Sequence, residues 1–371
     1  MIRRVIPAIL AVALTACGGG GGGETATTTP APSIQSASPM LGDMSRHRSA
    51  IVDLRFDQSD QTQQGYAVTS FQAVSPMIDH IKSVGFDTVT MQTNIPIDPN
   101  TGQLVFYDPD VTHSNRDKRL PKDFWPLVRY AKQKGLKVAL DAQPVNYIND
   151  NQIQGSFKTS QGDSTFFDSL ITYQKELATQ AQQNGVDIFY IGYLNIGLDS
   201  AVYSAQWDRV IASVRQVYSG KLIYTTCYRC INNVVWSKVD IIGMEFNPDL
   251  SSVPVYDLVR IISMYSNPVM FDGTSSIGLI KNIAEQYSKP IVLDQVRIQP
   301  ADTGVGPRSD LWDYNFGPTG SNQTLNYDLA RARYIALFEL VNTQIGKHVL
   351  GITLSEYTPW LEASWITGNS S

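Results

Sequence analysis

The sequence predicts a (β/α)8 barrel, an α/β fold built as a single large domain. Three observations predict it. Apolar, β-branched runs alternate with stretches of helical periodicity over residues 47–371, the pattern of repeated βα units around a parallel sheet. The strand-like runs number eight. The roughly 320 residues beyond residue 46 contain no second low-complexity break, a length that suits one large domain.

Each element follows in order. SAIVDLRF (49–56) reads as the first strand, and a helix over 74–83 leads to the second, DTVTMQT (87–93). PKDFWPLVRYAKQKG (121–135) is a helix with proline at its start and glycine at its end, as helix termini favour, and the third strand LKVALDA (136–142) follows at once. Helix FFDSLITYQKELATQAQQNG (166–185) precedes strand DIFYIGYLN (187–195), and helix SAQWDRVIASVRQVYSG (204–220) precedes KLIYTTC (221–227). A short element at 234–237 precedes VDIIGMEF (239–246), and two helical stretches within 256–288 precede PIVLDQVRI (290–298). TLNYDLARARYIALFELVNTQ (324–344) then feeds the eighth strand, HVLGITLSEY (348–357).

Ahead of the barrel lie two segments of different character. MIRRVIPAILAVALTAC carries two arginines, an apolar run and a small-residue step, which is an export signal over 1–16. Its apolar run is shorter than the roughly 20 residues of a membrane-spanning helix. Leu14-Thr15-Ala16-Cys17 resembles the bacterial lipobox, in which the cysteine becomes the first mature residue and carries lipid. Gly18, rather than an aspartate, follows it, which by the same resemblance favours the outer membrane of a Gram-negative cell envelope. Residues 17–46 are the lipidated Cys17 and a Gly, Thr, Ser and Pro tether with little to bury. The expected partners are therefore the membrane, through lipid on Cys17, and whatever the barrel engages.

Composition narrows the second partner. A net charge of −5 and the absence of any lysine or arginine run argue against nucleic acid. The four histidines, His47, His80, His113 and His348, are scattered without ligand spacing, so no metal centre is expected. No GxGxxG or P-loop pattern points to a nucleotide, and no cofactor is expected.

Strand parity indicates what lines the mouth of the barrel, the end where this fold places its ligands. Val52, Leu54 and Phe56 face outward on the first strand, leaving Asp53, Arg55 and Asp57 inward. The same alternation turns Thr90, Gln92 and Asn94 inward on the second strand and Asp141 and Gln143 on the third. Gly243, Glu245 and Asn247 share one face of the sixth strand, and Leu293, Gln295 and Arg297 share one face of the seventh. Thr353, Ser355 and Tyr357 turn inward on the eighth. Amides, carboxylates and arginine beside Trp125, Tyr357 and Trp360 suit a hydroxyl-rich ligand with apolar ring faces, the surface of an oligosaccharide or polysaccharide.

The ordered segments resemble clan A glycoside hydrolases, most closely the mannanase-like glycoside hydrolase family 113. The resemblance runs through RLPKDFWPLVRYAKQKGLKVALDAQPV (119–145), NIGLDSAVYSAQWDRVIASVRQVYSGKLIYTT (195–226), VDIIGMEFNPDL (239–250), KPIVLDQVRI (289–298) and HVLGITLSEYTPW (348–360). It implies an acid/base glutamate after an asparagine at the end of the fourth strand and a nucleophilic glutamate at the end of the seventh. Here the first position falls on Ile196 or Gly197, according to how Asn195 aligns, and the second on Gln295. Neither can act as a carboxylate.

Other carboxylates remain. Glu245 is the glutamate both at a strand end and inward by parity, and Asp141 or Asp57 faces it from another strand. An inverting pair, with its carboxyl groups about 6.5–9.5 Å apart, can be drawn from non-adjacent strands. The same groups can instead be paired with Arg55 or Arg297 inside the barrel. Cys227 and Cys230 close a Cys-Tyr-Arg-Cys motif that an exported protein can oxidise to a small disulfide. Two readings stay open: a glycosidase with rearranged carboxylates Glu245 and Asp141, or a carbohydrate-binding or polysaccharide-assembly protein on a hydrolase scaffold. In both, Asp57, Arg55, Gln92, Asn94, Gln143, Asn195, Asn247, Gln295, Arg297 and Tyr357 are the expected substrate contacts. A third reading is a lipoprotein whose barrel only supports protein contacts.

Overall fold

The computed structural model describes residues 47–54, 71–98, 100–104, 120, 123–146, 151–152, 161–195, 197–227, 230–246, 256–267, 272–296 and 327–355. They form a closed barrel of parallel strands: β1 (His47–Asp53), β2 (Thr88–Pro96), β3 (Lys137–Asn146), β5 (Ile188–Tyr193), β6 (Lys221–Cys227), β7 (Ile241–Glu245), β8 (Ile291–Val296) and β9 (Val349–Leu354). A two-residue strand, β4 (Asn151–Gln152), runs antiparallel to the end of β3 and lies outside the barrel order. Closure comes from β1, which pairs in parallel with β2 on one side and with β9 on the other.

The helices are α1 (Phe71–Ser83), α2 (Phe124–Gln133), α3 (Gly162–Gln183), α4 (Ser204–Arg215), α5 (Leu258–Met264), α6 (Ser276–Tyr287) and α7 (Tyr327–Leu340). Their apolar faces meet the outward residues of the strands, among them Val52, Leu54, Met91, Leu140, Phe189, Tyr224, Met244 and Leu293, in one continuous core. A smaller set, Ala139, Ile188, Tyr190, Ile223, Ile241, Val292 and Leu350, fills the inside of the barrel. The interior is packed, as this fold requires.

Helix ends follow local rules. Gly85, Gly135 and Gly185, all at positive φ, close α1, α2 and α3 two or three residues before the next strand. Ser288 takes the same left-handed position after α6 with φ 52°. The short element expected at 234–237 is a set of turns, so β6 connects to β7 around the fully buried Trp236. The Trp236 indole donates to the Tyr224 carbonyl at 3.2 Å, and the Lys289 ammonium donates to the Trp236 carbonyl at 2.9 Å.

One device recurs at the N-terminal end of the barrel. Asp87, Asp187 and Asp240 each precede a strand and bind a single residue of the neighbouring strand twice. The carboxylates accept from the backbone N–H of Arg48, Val138 and Leu222 at 2.9, 2.7 and 2.7 Å. The aspartates' own N–H groups donate to the carbonyls of those same residues at 3.2, 2.9 and 3.0 Å. Each clamp fixes register where the strand begins, and a one-residue slip would turn every side chain to the wrong face. Arg48, Lys132 and Arg215 add ion pairs to the three carboxylates.

Candidate functional site

The inward face carries a ladder of polar contacts. His47 Nε2 meets Thr353 Oγ1 at 3.0 Å, and the Ser49 and Thr90 hydroxyls meet at 2.8 Å. Higher up, the Gln92 amide donates to Asp141 Oδ2 at 2.9 Å, with Asp141 fully buried. These contacts place Thr90, Gln92, Asp141 and Thr353 inside, as alternation predicts. Gly243 also faces inward, since a Cβ there would land on the Thr225 hydroxyl. Glu245 follows two residues later at the end of β7, half-buried, in register with Cys227 on one side and Asp294 on the other.

Strand β8 departs from the expected parity. Leu293 packs in the outer core, and Asp294 points into the barrel. The Tyr190 hydroxyl donates to Asp294 Oδ1 at 3.2 Å and the Thr225 hydroxyl to Asp294 Oδ2 at 2.6 Å. Thr353 and the backbone N–H of Gln295 also bind this carboxylate. Burial raises Asp294 from the usual carboxylate range to about 6, against the lowering effect of these donors. Burial and the two aspartates Asp294 and Asp141 hold the Tyr190 phenol well above its ordinary value.

The physical reason for the departure is a bulge. The pairing of β8 with β9 shifts between Leu293 and Val296, and Gln295 has φ 51°, in the left-handed region that a residue with a Cβ rarely occupies. Gln295 is 9% exposed and its Nε2 has no hydrogen-bond partner among the described residues. An amide donor thus stands unsatisfied at the end of the strand.

A second irregularity moves Asn195. The register of β5 against β6 shifts between Tyr190 and Gly192, and Leu194 has φ 46°. Asn195 is fully buried on the outer side of the barrel wall: a Cβ on Gly192 would lie 2.7 Å from its Nδ2, 2.9 Å from the Tyr224 ring and 3.1 Å from the Trp207 ring. The expected ligand contact is therefore turned toward α4 instead of the barrel mouth. Asp199, beyond it, accepts from the Tyr224 hydroxyl at 3.1 Å and from Asn233 Nδ2 at 2.7 Å. Burial raises its pKa and the hydrogen bonds oppose that rise. It ties the β5–α4 loop to the connection after β6.

Cys227 and Cys230 are joined by a disulfide at the end of β6, with a turn bond from the Cys230 N–H to the Cys227 carbonyl at 2.9 Å. Asn94 and Gln143 pair in register across β2 and β3 beyond the Gln92–Asp141 contact, and only their backbone positions are described. Arg55, Asp57, Asn247, Arg297, Tyr357 and Cys17 lie outside the described residues. Among the described residues no group of three or more His, Cys, Asp or Glu could hold a metal ion, and no helix is long and apolar enough to cross a membrane. Sequence reasoning missed Asp294, Tyr190 and Thr225; the tyrosine in IFYIGY, inward by simple alternation from Ile188, was the available signal.

At the ends of the strands, then, the described side chains include one half-buried carboxyl, one strained amide, the Ser355 hydroxyl and a disulfide, above a buried network around Asp294. The family model of Glycoside Hydrolase Family 113 matches residues 61–327, most of the chain and nearly all of the barrel from β2 to β8. The chain belongs to glycoside hydrolase family 113. Its fold agrees with solved members of family 113. The β-mannanase of Alicyclobacillus acidocaldarius, in complex with ManMIm, superposes with a TM-score of 0.62 at 18% identity, covering 87% of this chain and 91% of that one. A β-1,4-mannanase of the family gives a TM-score of 0.60 at 18% identity, over 84% and 88% of the two chains. A complex structure of a family 113 β-1,4-mannanase gives 0.59 at 19% identity, over 84% and 87%. At these identities the likeness to the solved structures is one of fold. No curated protein matches the chain.

Proposed function

We propose that this family 113 barrel recognises polysaccharide of the cell envelope or of exported material, held at the outer membrane by lipid on Cys17, without two-glutamate hydrolysis. One observation carries the reading: the end of β8 presents Gln295, strained and with its amide donor unsatisfied among the described residues. A glutamine cannot ionise, so it cannot attack an anomeric carbon or form the glycosyl-enzyme intermediate of the retaining route. It can donate to a sugar hydroxyl or ring oxygen, which removes the cost of a buried donor left unpaired, about 1–3 kcal/mol. The other inward carboxylates support the same reading. Asp141 and Asp294 are fully buried and engaged with Gln92, Tyr190 and Thr225, out of reach of a bulky glycan.

Glu245 keeps a second reading alive, because it is half-buried at the end of β7 and carries the kind of group that acid/base work needs. The names of the solved relatives make β-1,4-manno-oligosaccharides the first probe. Calorimetry of the full chain is expected to show binding, with no shorter products by chromatography. Gln295→Glu alone is expected to leave retaining hydrolysis absent, since the acid/base position falls on Ile196 or Gly197, neither of which carries a carboxyl. Hydrolysis by the wild-type chain that falls about 10²–10⁴-fold in Glu245→Gln, the range of general acid/base catalysis, would replace recognition with a rearranged glycosidase.

A further inference from the structure

The left-handed residue at the end of β8 needs something to hold it, and the neighbouring side chain does so. The Asp294 carboxylate accepts from the backbone N–H of Gln295, and also from Tyr190, Thr225 and Thr353, so donors from four strands converge on one acceptor. Its backbone carbonyl accepts from the Phe246 N–H at 3.0 Å, fixing the peptide just before the bulge to the end of β7, next to Glu245. An ionised carboxylate has lone pairs for all four donors. A protonated one has an O–H to place; the three hydroxyls can turn to accept it, whereas the backbone N–H of Gln295 can only donate, so the contact released is the one to the strained backbone.

We infer that Asp294 is the positioning residue of the ligand site: while ionised it holds the β8 bulge and aims the Gln295 amide, and when protonated it lets that amide relax. This rests on the recognition role assigned to Gln295 above. Burial brings the change into an accessible range, since Asp294 titrates at about 6. The titratable groups facing it are few. Tyr190 on β5 stays neutral, with its pKa raised well above the ordinary value. His47 on β1, connected through Thr353, is lowered to about 4 and is neutral over the same range. Asp141 on β3 faces the same Tyr190, and Glu245 on β7 is the register neighbour. Cys227 on β6 does not titrate, being disulfide-bonded.

The test reads the backbone first and the ligand second. In the full chain labelled with ¹⁵N-glutamine, the Gln295 amide, identified by the signal lost in Gln295→Glu, is expected to shift with a midpoint near that of Asp294. Thr225→Val, which removes one donor, is expected to move the midpoint to higher pH, and Asp294→Asn to abolish it. Should Asp294→Asn fail to fold, the Thr225→Val displacement decides between the same outcomes. Affinity for β-1,4-manno-oligosaccharides is expected to fall by up to about tenfold per pH unit below the midpoint, the limit for one linked proton. A Gln295 amide that stays still from about pH 5 to 8, or one that titrates unchanged in Asp294→Asn, overturns the inference. If the amide titrates and no oligosaccharide binds at any pH, the coupling stands and the recognition role of Gln295 falls.

Discussion

His47 and Asp294 sit on the same hydroxyl, Thr353, and their burial acts on them in opposite senses. His47, lowered from 6.5 to about 4, contributes stability that is present above pH 6.5 and is lost as pH falls through 4. Asp294, raised from 3.8 to about 6, contributes stability that is present below 3.8 and is lost as pH rises through 6. At about 1.36 kcal/mol per pKa unit each is worth about 3 kcal/mol, so over the window between them the two contributions offset each other. His47→Gln keeps a polar group near Thr353 and removes one arm of that balance. Relative to the wild type, this variant is expected to gain about 2–3 kcal/mol on going from about pH 6.5 to 4.5, read from urea midpoints. A constant difference between the two proteins across that range would show that His47 does not titrate as its burial implies.

At the scale of elements, the order and number of strands were legible because each apolar run is bounded by a helix-ending glycine or a polar turn. Inward faces were legible wherever a strand keeps its period of two: Gln92, Asp141, Gly243 and Thr353 all fall where alternation puts them. Alternation failed at Leu293, and Asn195, expected as a ligand contact from the resemblance, lies on the outer side of the wall; each stands beside a register shift and a non-glycine residue at positive φ. A bulge adds one residue to one strand, and nothing in the apolar pattern of IVLDQV marks where it falls. The clamps made by Asp87, Asp187 and Asp240 were equally hidden, since an aspartate before a strand reads as an ordinary turn residue. The helix ends offer a sharper test. Gly85, Gly135 and Gly185 occupy the position that Ser288 fills after α6 at φ 52°. A side chain there costs about 1 kcal/mol against glycine. Ser288→Gly is therefore expected to stabilise the domain by about that amount in denaturant unfolding, and a loss of stability would mean that the Ser288 hydroxyl does more than its long contact to the Glu285 carbonyl implies.

For the whole molecule, the proposed location depends on a single atom. On that proposal, the apolar run ahead of Cys17 is shorter than the roughly 20 residues of a membrane-spanning helix and residues 18–46 offer little to bury, so Cys17→Ser is expected to move the protein from the membrane fraction to soluble or unprocessed forms. Membrane association of a processed, lipid-free protein, seen by fractionation and mass spectrometry, would remove the lipid from the proposal. The pairing of β1 with β9 has a further consequence, and it concerns time. Gly351 lies so close to the His47 carbonyl that a Cβ would collide with it, so the seam joins the first strand of the barrel tightly to the last. A chain delivered from its N-terminus therefore waits roughly 300 residues with β1 open along one edge, a long-range pairing of the kind that slows folding. The last strand decides when the barrel closes, and until it arrives one edge of β1 stays open to pairing with another chain.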